Sequence, residues 1–525
     1  MAKRYSAIWA LIFVVVLLGA CRPGYEVPPD RLRMHLAGEP DTLNPILATD
    51  AYAGEVGGYL YDSLITVDLD TLEFKPKVAE SWTFSADMRS FVFKLRKDVK
   101  WHDGAPLTAE DVVFSYNLVM DPKTKAPALK SVYGDIEKVR KIDDHTVEFK
   151  LSKSNFRSLQ LCGAFPIVPK HILEKEGDLE HSEFSRAPVG NGPYVFKAWD
   201  TNRRILLERN ENYWDKKPEI RTVEFKFFSG EVALQILKKG LIDLYQMTNL
   251  QWVRQTGSAK FNNEFYKISY AGRSYSFIGW KMDSPIFKDK TVRRAMALLL
   301  DRKKMKDKLL FGLASEVAGP FFPLSPQYNP KLVPLPYDPG EAKKLLAQAG
   351  WADTDKDGIL DKEGLKFKFT FLLSSGSRFA ENLATIMKED YKKVGIVMDI
   401  DRLEWAAFLE RLDKQDFDAV TLAWMMPNES DPHQVWHSSQ ADIRGSSNFI
   451  GYRNPKVDKL IEKARVEFNA KKRNALYYKF QEIIYDEQPY LFLYSSPSLL
   501  AVSKRFDNII VHKAGIDTNE WRVKP

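Results

Sequence analysis

Cysteine is nearly absent from this chain, which has only Cys21 and Cys162 among 525 residues. Two thiols exclude a disulfide framework and a cysteine-rich zinc site. An excess of charge of one sign is also lacking, because 77 basic residues oppose 70 acidic ones and no run of five like charges occurs. The sequence therefore predicts no nucleic-acid partner.

The motifs of the commonest enzyme classes are missing as well. The sequence contains no G-x-S-x-G elbow, no H-E-x-x-H pair, no Walker loop and no G-x-G-x-x-G fingerprint. Gly190-Asn191-Gly192 continues into Pro193-Tyr194, without the third glycine or a helix start. We therefore expect no enzyme of these classes, while a carboxylate-dependent hydrolase would leave no such motif and stays open at this point.

Apolar residues make up 44% of the chain and aromatic residues 13%, which is enough for several hydrophobic cores. At about 150 residues per domain, the length corresponds to about three and a half domains. Strands are predicted from alternating or β-rich runs at 91–95, 146–151, 194–198, 222–228, 366–373 and 418–424.

Helices are predicted between these strands. Thr108 followed by Asp111 is typical of a capping box. Asp338-Pro339 starts a second helix, and Gly350 lies just past its end. An apolar stripe of helical spacing follows Val292. Together these patterns indicate an α/β protein with more than one sheet.

The N-terminus is typical of an export signal, because basic residues precede an apolar run of about 14 residues that is short for a membrane span. Its end, Leu18-Gly19-Ala20-Cys21, resembles the lipobox of bacterial lipoproteins. This resemblance implies a signal peptide at 1–20, lipid on Cys21, a proline-rich tether at 21–31, and a place in the bacterial cell envelope, anchored to a membrane. The alternative is an ordinary signal peptide with a chance cysteine.

One loop has the pattern of a calcium site. Asp353, Asp355, Asp357 and Asp361 occupy positions 1, 3, 5 and 9 of an EF-hand loop. Position 12, normally a bidentate glutamate, is Gly364. Calcium is thus a possible cofactor, and a polar turn without metal is the alternative; no other cofactor is expected.

Several motifs, in order along the chain, resemble the extracellular solute-binding protein family 5, the oligopeptide- and dipeptide-binding family of ABC importers. The matching segments cover about residues 35 to 510 and are EPDTLNP at 39–45, YDSL at 61–64, LEFKPKVAESW at 72–82, FVFKLRKDVKWHDGAPLTAED at 91–111, VGNGPY at 189–194, VRRAMALLLD at 292–301 and NFIGYRNPKVDK at 448–459.

The resemblance implies a two-lobed periplasmic-binding-protein-like fold of cluster C type, with an extra subdomain in the N-terminal lobe. Domain I would comprise 22–58, 183–280 and 496–525, domain II 59–182, and domain III 281–495, with the hinge near Trp280 and Ser495. It also implies a monomeric binding protein, not an enzyme, that closes on a peptide or other small solute and delivers it to permease and ATPase subunits.

Ligand-binding residues follow from the same resemblance. Thr49, Ala51 and Tyr52 would present an extended backbone edge to a peptide. Trp405 and Trp424 have the mutual spacing of the tryptophans that wall the family's side-chain pockets, although either could instead be lobe core.

The chain departs from the family after Trp424, where an aspartate usually pairs with the ligand's ammonium group. Here Met425, Met426 and Pro427 follow, so Glu429 and Asp431 are the candidate substitutes, while Met425 and Met426 would instead make a soft apolar wall for a less charged or bulkier ligand. Two arginines, Arg378 and Arg444, are the candidate partners for a ligand carboxylate. A non-peptide solute such as an oligosaccharide or a metal chelate, and a surface receptor that senses without transport, are the alternative functions.

Overall fold

The computed structural model describes residues 30–524. The predicted signal peptide, Cys21 and most of the tether therefore lie outside the described residues. Arg31 already belongs to the first strand. Across 30–524, none of the helices combines the length and apolar character that a membrane crossing requires.

The strands account for every one of the six strand predictions. Their bounds are β1 Arg31–Leu36, β2 Ile65–Val67, β3 Phe74–Pro76, β4 Ala79–Phe84, β5 Ser90–Leu95, β6 Ile136–Asp143, β7 Thr146–Leu151, β8 Tyr194–Asp200, β9 Arg204–Arg209, β10 Thr222–Phe227, β11 Leu244–Gln246, β12 Phe265–Tyr270, β13 Ser274–Trp280, β14 Ser315–Glu316, β15 Asp361–Lys362, β16 Leu365–Lys366, β17 Lys368–Ser374, β18 Val397–Leu403, β19 Ala419–Met425, β20 Tyr490–Phe492, β21 Tyr494–Ser495, β22 Ser498–Ser503, β23 Phe506–Asp507 and β24 Arg522–Val523.

The three predicted helices are also present. The helices are α1 Ala51–Leu60, α2 Ala109–Met120, α3 Pro127–Tyr133, α4 Ser158–Gly163, α5 Lys170–Leu173, α6 Gly230–Lys238, α7 Asn249–Arg254, α8 Ala259–Glu264, α9 Lys290–Leu298, α10 Arg302–Leu309, α11 Pro339–Gln348, α12 Arg378–Lys392, α13 Trp405–Asp413, α14 His433–Trp436, α15 Pro455–Arg465 and α16 Ala470–Glu487, with 3₁₀ turns at Glu183–Ser185, Ser438–Gln440 and Thr518–Glu520.

The N-terminal lobe is built on a seven-stranded sheet of order β12-β22-β11-β1-β10-β9-β8. β1 lies parallel to both β10 and β11. Leu32, Val223 and Ile205 from adjacent strands are fully buried in its core. C-terminal residues complete this lobe, because β22 inserts between β11 and β12.

The segment between α1 and β8 forms a subdomain around the antiparallel sheet β4-β5-β7-β6. Phe93 and Phe149 meet edge to face on the inner side of this sheet, with ring centroids 5.7 Å apart. Cys162 is buried in the same core, and burial raises the pKa of its thiol. The thiol is therefore a small apolar packing group rather than a nucleophile.

A clamp joins this subdomain to the N-terminal lobe through the Gly-Asn-Gly segment. The Asn191 side chain accepts from Asp62 N (2.9 Å) and donates to Asp62 O (3.0 Å). His102 Nδ1 accepts from Gly190 N–H at 3.0 Å, so Nε2–H donates to the carbonyl of Gly192 at 3.1 Å. Burial lowers the pKa of His102 to about 4, so the ring is neutral at pH 7. The segment is thus a structural joint.

The C-terminal lobe contains a five-stranded sheet of order β18-β17-β19-β13-β20. β17 lies parallel to β18 and β19. Helices cover both faces, and α9 buries Val292, Ala295 and Met296 as its apolar stripe predicts. Arg293 is also buried; its guanidinium donates to the backbone carbonyl of Glu487.

The boundary expected near Trp280 is wrong by one strand. β13 pairs along its whole length with β19, from Ser274 opposite Met425 to Trp280 opposite Ala419. Phe277 and Ile278 are fully buried in the C-terminal lobe, which explains why the strand belongs there. The chain therefore leaves the first lobe at 271–273 and returns at 496–497.

These two crossings contact each other directly. A Cβ atom at Gly272 would lie 2.0 Å from the carbonyl oxygen of Ser496. The hydroxyl of Ser495 donates to the Gly272 carbonyl at 3.3 Å. The hinge is therefore a pair of backbone segments packed so closely that only glycine fits at one position.

Candidate ligand-binding cleft

The carboxyl ends of parallel strands in the two large sheets face the crossings. β1, β10 and β11 of the first lobe are parallel, and β12, which is parallel to β11, runs directly into the first crossing. In the second lobe β13 starts opposite the end of β19. Open α/β sheets bind ligands outside the carboxyl ends of their strands. The space between these two edges is therefore the candidate site.

A pocket of about 460 Å³ lies at the edge of the first lobe, between the ends of β1 and β11 and helix α1. Tyr52 packs against Gly38, where a Cβ atom would come within 2.6 Å of its ring. His35 Nε2 lies 2.7 Å from the Phe228 carbonyl, and burial lowers the pKa of this ring. Burial raises the pKa of Glu55, which lines the same pocket. This wall of the cleft therefore presents aromatic rings and the carboxyl group of Glu55.

The extended backbone edge expected at 49–52 is wrong. α1 begins at Ala51, and Asp50 is its N-cap, whose carboxylate accepts from Ala53 N at 2.8 Å. Only Thr49 and Asp50 precede the helix, and both line a neighbouring pocket of about 370 Å³ between the first lobe and the subdomain. The helix forms because Val56 and Leu60 insert into the lobe core; Asp50 at the N-cap was the missed signal.

The tryptophan and methionine candidates lie in the second lobe. Trp405, the first residue of α13, is 55% exposed, and Met425, the last residue of β19, is 78% exposed. Trp424 is half-buried and stacks on Phe277, with centroids 6.2 Å apart and planes 15° apart. Trp405 and Met425 are thus accessible, while Trp424 also supports the lobe core, and the contact of all three with a ligand stays a prediction.

β19 also offers a free backbone edge to the cleft. Its pairing with β17 ends at Leu372 opposite Val420, whereas β13 pairs with it through to Met425. Residues 421–425 therefore have a partner strand on one side only. Such an edge can pair with an added extended chain.

The two acidic candidates are already paired. Glu429 lies 2.7 Å from the guanidinium of Arg473, and Asp431 lies 2.9 Å from that of Arg465. These contacts neutralise both carboxylates, so recognition of a ligand ammonium by Glu429 or Asp431 stays a prediction that requires an ion pair to break.

The two arginine candidates for a ligand carboxylate are exposed. Arg378 opens α12 just beyond β17, and Arg444 lies in the loop before α15. Within residues 30–524, neither guanidinium lies within 4.0 Å of a carboxylate oxygen of the chain. Their role in binding stays a prediction.

The aspartate loop lies at the other edge of the second lobe, before β17 begins. Oxygen atoms of Asp353, Asp355 and Asp361 converge within 4.8 Å of one another. The ammonium of Lys366, which the motif did not indicate, lies 2.6 Å from Asp355 and 2.8 Å from Asp357. A calcium ion would therefore have to displace Lys366, and calcium binding stays a prediction.

Comparison with known proteins decides the family. Residues 73–445 match the model of the bacterial extracellular solute-binding proteins, family 5, middle region. The chain belongs to this family. The chain is therefore a binding protein and not an enzyme. Members of the family bind peptides or other small solutes and work with ABC permeases. The family description places them outside the cytoplasm.

Individual relatives support the same assignment. The oligopeptide-binding protein AppA of Bacillus subtilis is 34% identical over 90% of this chain and 88% of its own length. The solved structure of AppA with a nonapeptide has a TM-score of 0.78 over 94% of this chain and 99% of that one, at 32% identity. The structure of NikZ from Campylobacter jejuni in complex with Ni(L-His) has a TM-score of 0.79 over 95% of this chain and 100% of that one, at 26% identity. The predicted α/β fold of a two-lobed binding protein is confirmed.

Proposed function

We propose that this chain is the lipid-anchored substrate-binding component of an ABC importer, and that it captures an oligopeptide between its two lobes. The observation that carries this proposal is the free edge of β19 at residues 421–425, which faces the cleft. The likeness to an oligopeptide-binding protein at 34% identity supports it.

An extended peptide would add to β19 as a further strand. Main-chain hydrogen bonds do not depend on the peptide's sequence, so they give affinity without narrow selectivity. Trp405 and Met425 would contact its side chains from an apolar, exposed surface. Met adapts to ligands of different shape because its side chain is unbranched and flexible.

Closure follows from the same geometry. A ligand held between two lobes makes its full set of contacts only when both edges reach it, so binding selects the closed state. We propose that permease and ATPase subunits recognise this closed, monomeric form. Lipid on Cys21 would tether the protein to a membrane through the segment before β1, which spans about 30 Å at most when extended.

A metal chelate is the second candidate, and the likeness to the structure of NikZ with Ni(L-His) favours it. Such a ligand is smaller than an oligopeptide and would not need the length of the β19 edge. The two candidates therefore differ in the mass of the bound molecule and in its metal content.

Native mass spectrometry of protein purified without denaturation tests the proposal. We expect adducts with the masses of peptides, removed by unfolding and released unaltered. A nickel- or iron-containing adduct would favour the chelate instead, and a protein that stays unbound through incubation with a pooled pentapeptide library would refute peptide capture. Loss of peptide uptake after deletion of the permease would separate import from sensing.

A further inference from the structure

Phe156 joins the subdomain to the second lobe. It lies in the turn between β7 and α4, and its backbone N–H donates to the carbonyl of Arg465, the last residue of α15, at 2.8 Å. The centroid of its ring lies 4.4 Å from the guanidinium carbon of Arg473. The same ring meets that of Tyr477 edge to face, with centroids 6.5 Å apart. One residue of the subdomain therefore contacts two helices of the second lobe.

The second lobe holds the socket for Phe156, formed by Arg465, Arg473 and Tyr477, in a fixed geometry. Arg473 and Tyr477 are one helical turn apart on α16, so they lie on the same face, and both are buried. The guanidinium of Arg473 donates to Glu429 at 2.7 Å and to the backbone carbonyl of Glu467 at 3.0 Å. These hydrogen bonds lie in the plane of the guanidinium, which leaves its flat face to stack on an aromatic ring.

The hydrogen bond of Phe156 uses a carbonyl at the end of a helix. α15 ends at Arg465, and the last carbonyls of a helix have no partner within it. Asn469 N–H, which a longer helix would direct to Arg465, donates instead to the side chain of Glu467 at 2.8 Å. The Arg465 carbonyl can therefore accept from another part of the molecule, and the subdomain supplies the donor.

This contact depends on the relative position of the two lobes. The clamp at Asn191 and Asp62 fixes the subdomain to the first lobe, so Phe156 moves with that lobe. The socket belongs to the second lobe, which the chain enters and leaves at the crossings 271–273 and 496–497. Opening about the crossings therefore separates Phe156 from its socket, and closing restores the contact.

A cavity of about 290 Å³ lies beside the contact, and its lining includes Phe156, Arg157 and Arg273. The subdomain and the second lobe are therefore not packed continuously around Phe156. A partly buried cation–π contact, together with one hydrogen bond, favours the joined state by a factor of about 5–30. Such a contact holds the lobes together part of the time and still lets them open.

We propose that Phe156 is a latch that keeps a fraction of the molecules closed before a ligand arrives. It is a positioning residue for ligand capture, because it acts through the lobes. This inference rests on the lobe closure of the proposed function and not on the identity of the ligand. Affinity scales with the population of the state that is competent to bind. Loss of the latch therefore weakens binding of different ligands by the same factor.

The test measures the full chain without ligand, after unfolding and refolding have removed any retained molecule. The reporter is amide hydrogen exchange at residue 156, relative to the unfolded chain, because this exchange requires the bond to Arg465 to open. We expect Phe156→Ala to speed the exchange about 5- to 30-fold and to increase the radius of gyration in small-angle X-ray scattering. Phe156→Tyr keeps the ring and should restore both values.

Two further variants assign the effect to the latch. Phe84→Ala is the matched control, because Phe84 is a phenylalanine of the same subdomain that is 54% exposed on β4. It should leave the exchange at residue 156 and the scattering curve unchanged. Arg473→Lys retains the charge but loses the flat face, so it should speed the exchange. Combining it with Phe156→Ala should give less than the product of the two separate effects. Melting temperatures check that each variant is folded.

The possible failures are distinguishable. If Phe156→Ala and Phe84→Ala give the same exchange and the same scattering without ligand, the latch is refuted while ligand capture survives. Effects of Phe156→Ala and Arg473→Lys that simply multiply overturn the pairing of the two residues. Two peptides identified by mass in the bound fraction of the pooled library should lose affinity by one factor in Phe156→Ala, and unequal losses would make Phe156 a ligand contact. If no peptide binds, the proposed ligand fails and the exchange measurement still decides the latch.

Discussion

Substituting Gly272 by alanine tests whether the two crossings form a tight hinge. The added Cβ atom would lie 2.0 Å from the carbonyl oxygen of Ser496 and 3.2 Å from its carbonyl carbon. Ordinary contact begins near 3.4 Å, so the crossings must separate by about 1.4 Å. The Ser496 carbonyl belongs to the backbone, so it cannot rotate away from the added Cβ atom as a flexible side chain could. Overpacking of this kind costs about 1–3 kcal/mol, and we expect Gly272→Ala to lower the free energy of unfolding by that amount.

The assay is urea unfolding followed by tryptophan fluorescence, combined with peptide titration. Because the strain falls on the hinge, we also expect a change in peptide affinity, although no residue of the cleft walls is altered. Gly257→Ala is the matched control, since a Cβ atom there meets nothing within 4 Å. If Gly272→Ala is as stable as Gly257→Ala and binds peptide like the wild type, the close approach of the crossings does not matter to opening and closing.

Three further predictions concern the clamp, the aspartate loop and the cleft wall. The lowered pKa of His102, about 4, means that the unfolded chain binds an extra proton between pH 6.5 and 4. The contribution of the neutral ring to the free energy of unfolding is therefore complete above pH 6.5 and falls by about 2–3 kcal/mol by pH 4.5. Urea unfolding should show that the difference in the free energy of unfolding between wild type and His102→Asn shrinks over this range. A difference that stays constant contradicts the prediction. Lys366→Met should make calcium at about 1 mM raise the melting temperature more than it does in wild type, and equal shifts would contradict displacement of the lysine. Trp405→Ala should weaken peptide binding by about 1–3 kcal/mol without altering unfolding, whereas Trp424→Ala should lower both; unchanged affinity for Trp405→Ala removes it from the site.

Local patterns predicted most of the secondary structure because they act within a few residues. Thr108 and Asp111 form their reciprocal cap at the start of α2, and Asp338 accepts from Glu341 N at the start of α11. Gly350 takes the positive φ that a helix end favours, at 85°. Each signal is complete in the sequence, so it needs no tertiary contact to be recognised.

The errors arose where long-range packing decides the outcome. α1 contains three glycines, which lower its helix propensity, yet it forms because Val56 and Leu60 are buried in the first lobe. The assignment of β13 to a lobe depends on its pairing with β19, about 140 residues away in sequence, and a strand pattern carries no information about its partner.

Only part of the candidate site could be predicted, again because packing between distant segments decides the rest. Trp405 and Met425 are exposed, beyond the carboxyl end of β18 and at that of β19, on either side of β17, and their contact with a ligand stays a prediction. The ion pair of Glu429 with Arg473 joins a loop to a distant helix, and the cavity lined by Arg157 and Arg273 is assembled from five separate stretches of the chain. Neither could be recognised from residue spacing.

The central claim is that two lobes joined by a narrow hinge close on an oligopeptide. Small-angle X-ray scattering of one sample, before and after saturation with the pooled pentapeptide library, tests it most directly. The account predicts a smaller radius of gyration with the peptides bound and recovery of the first curve after they are removed. Superimposable curves at a saturation confirmed by calorimetry would contradict closure.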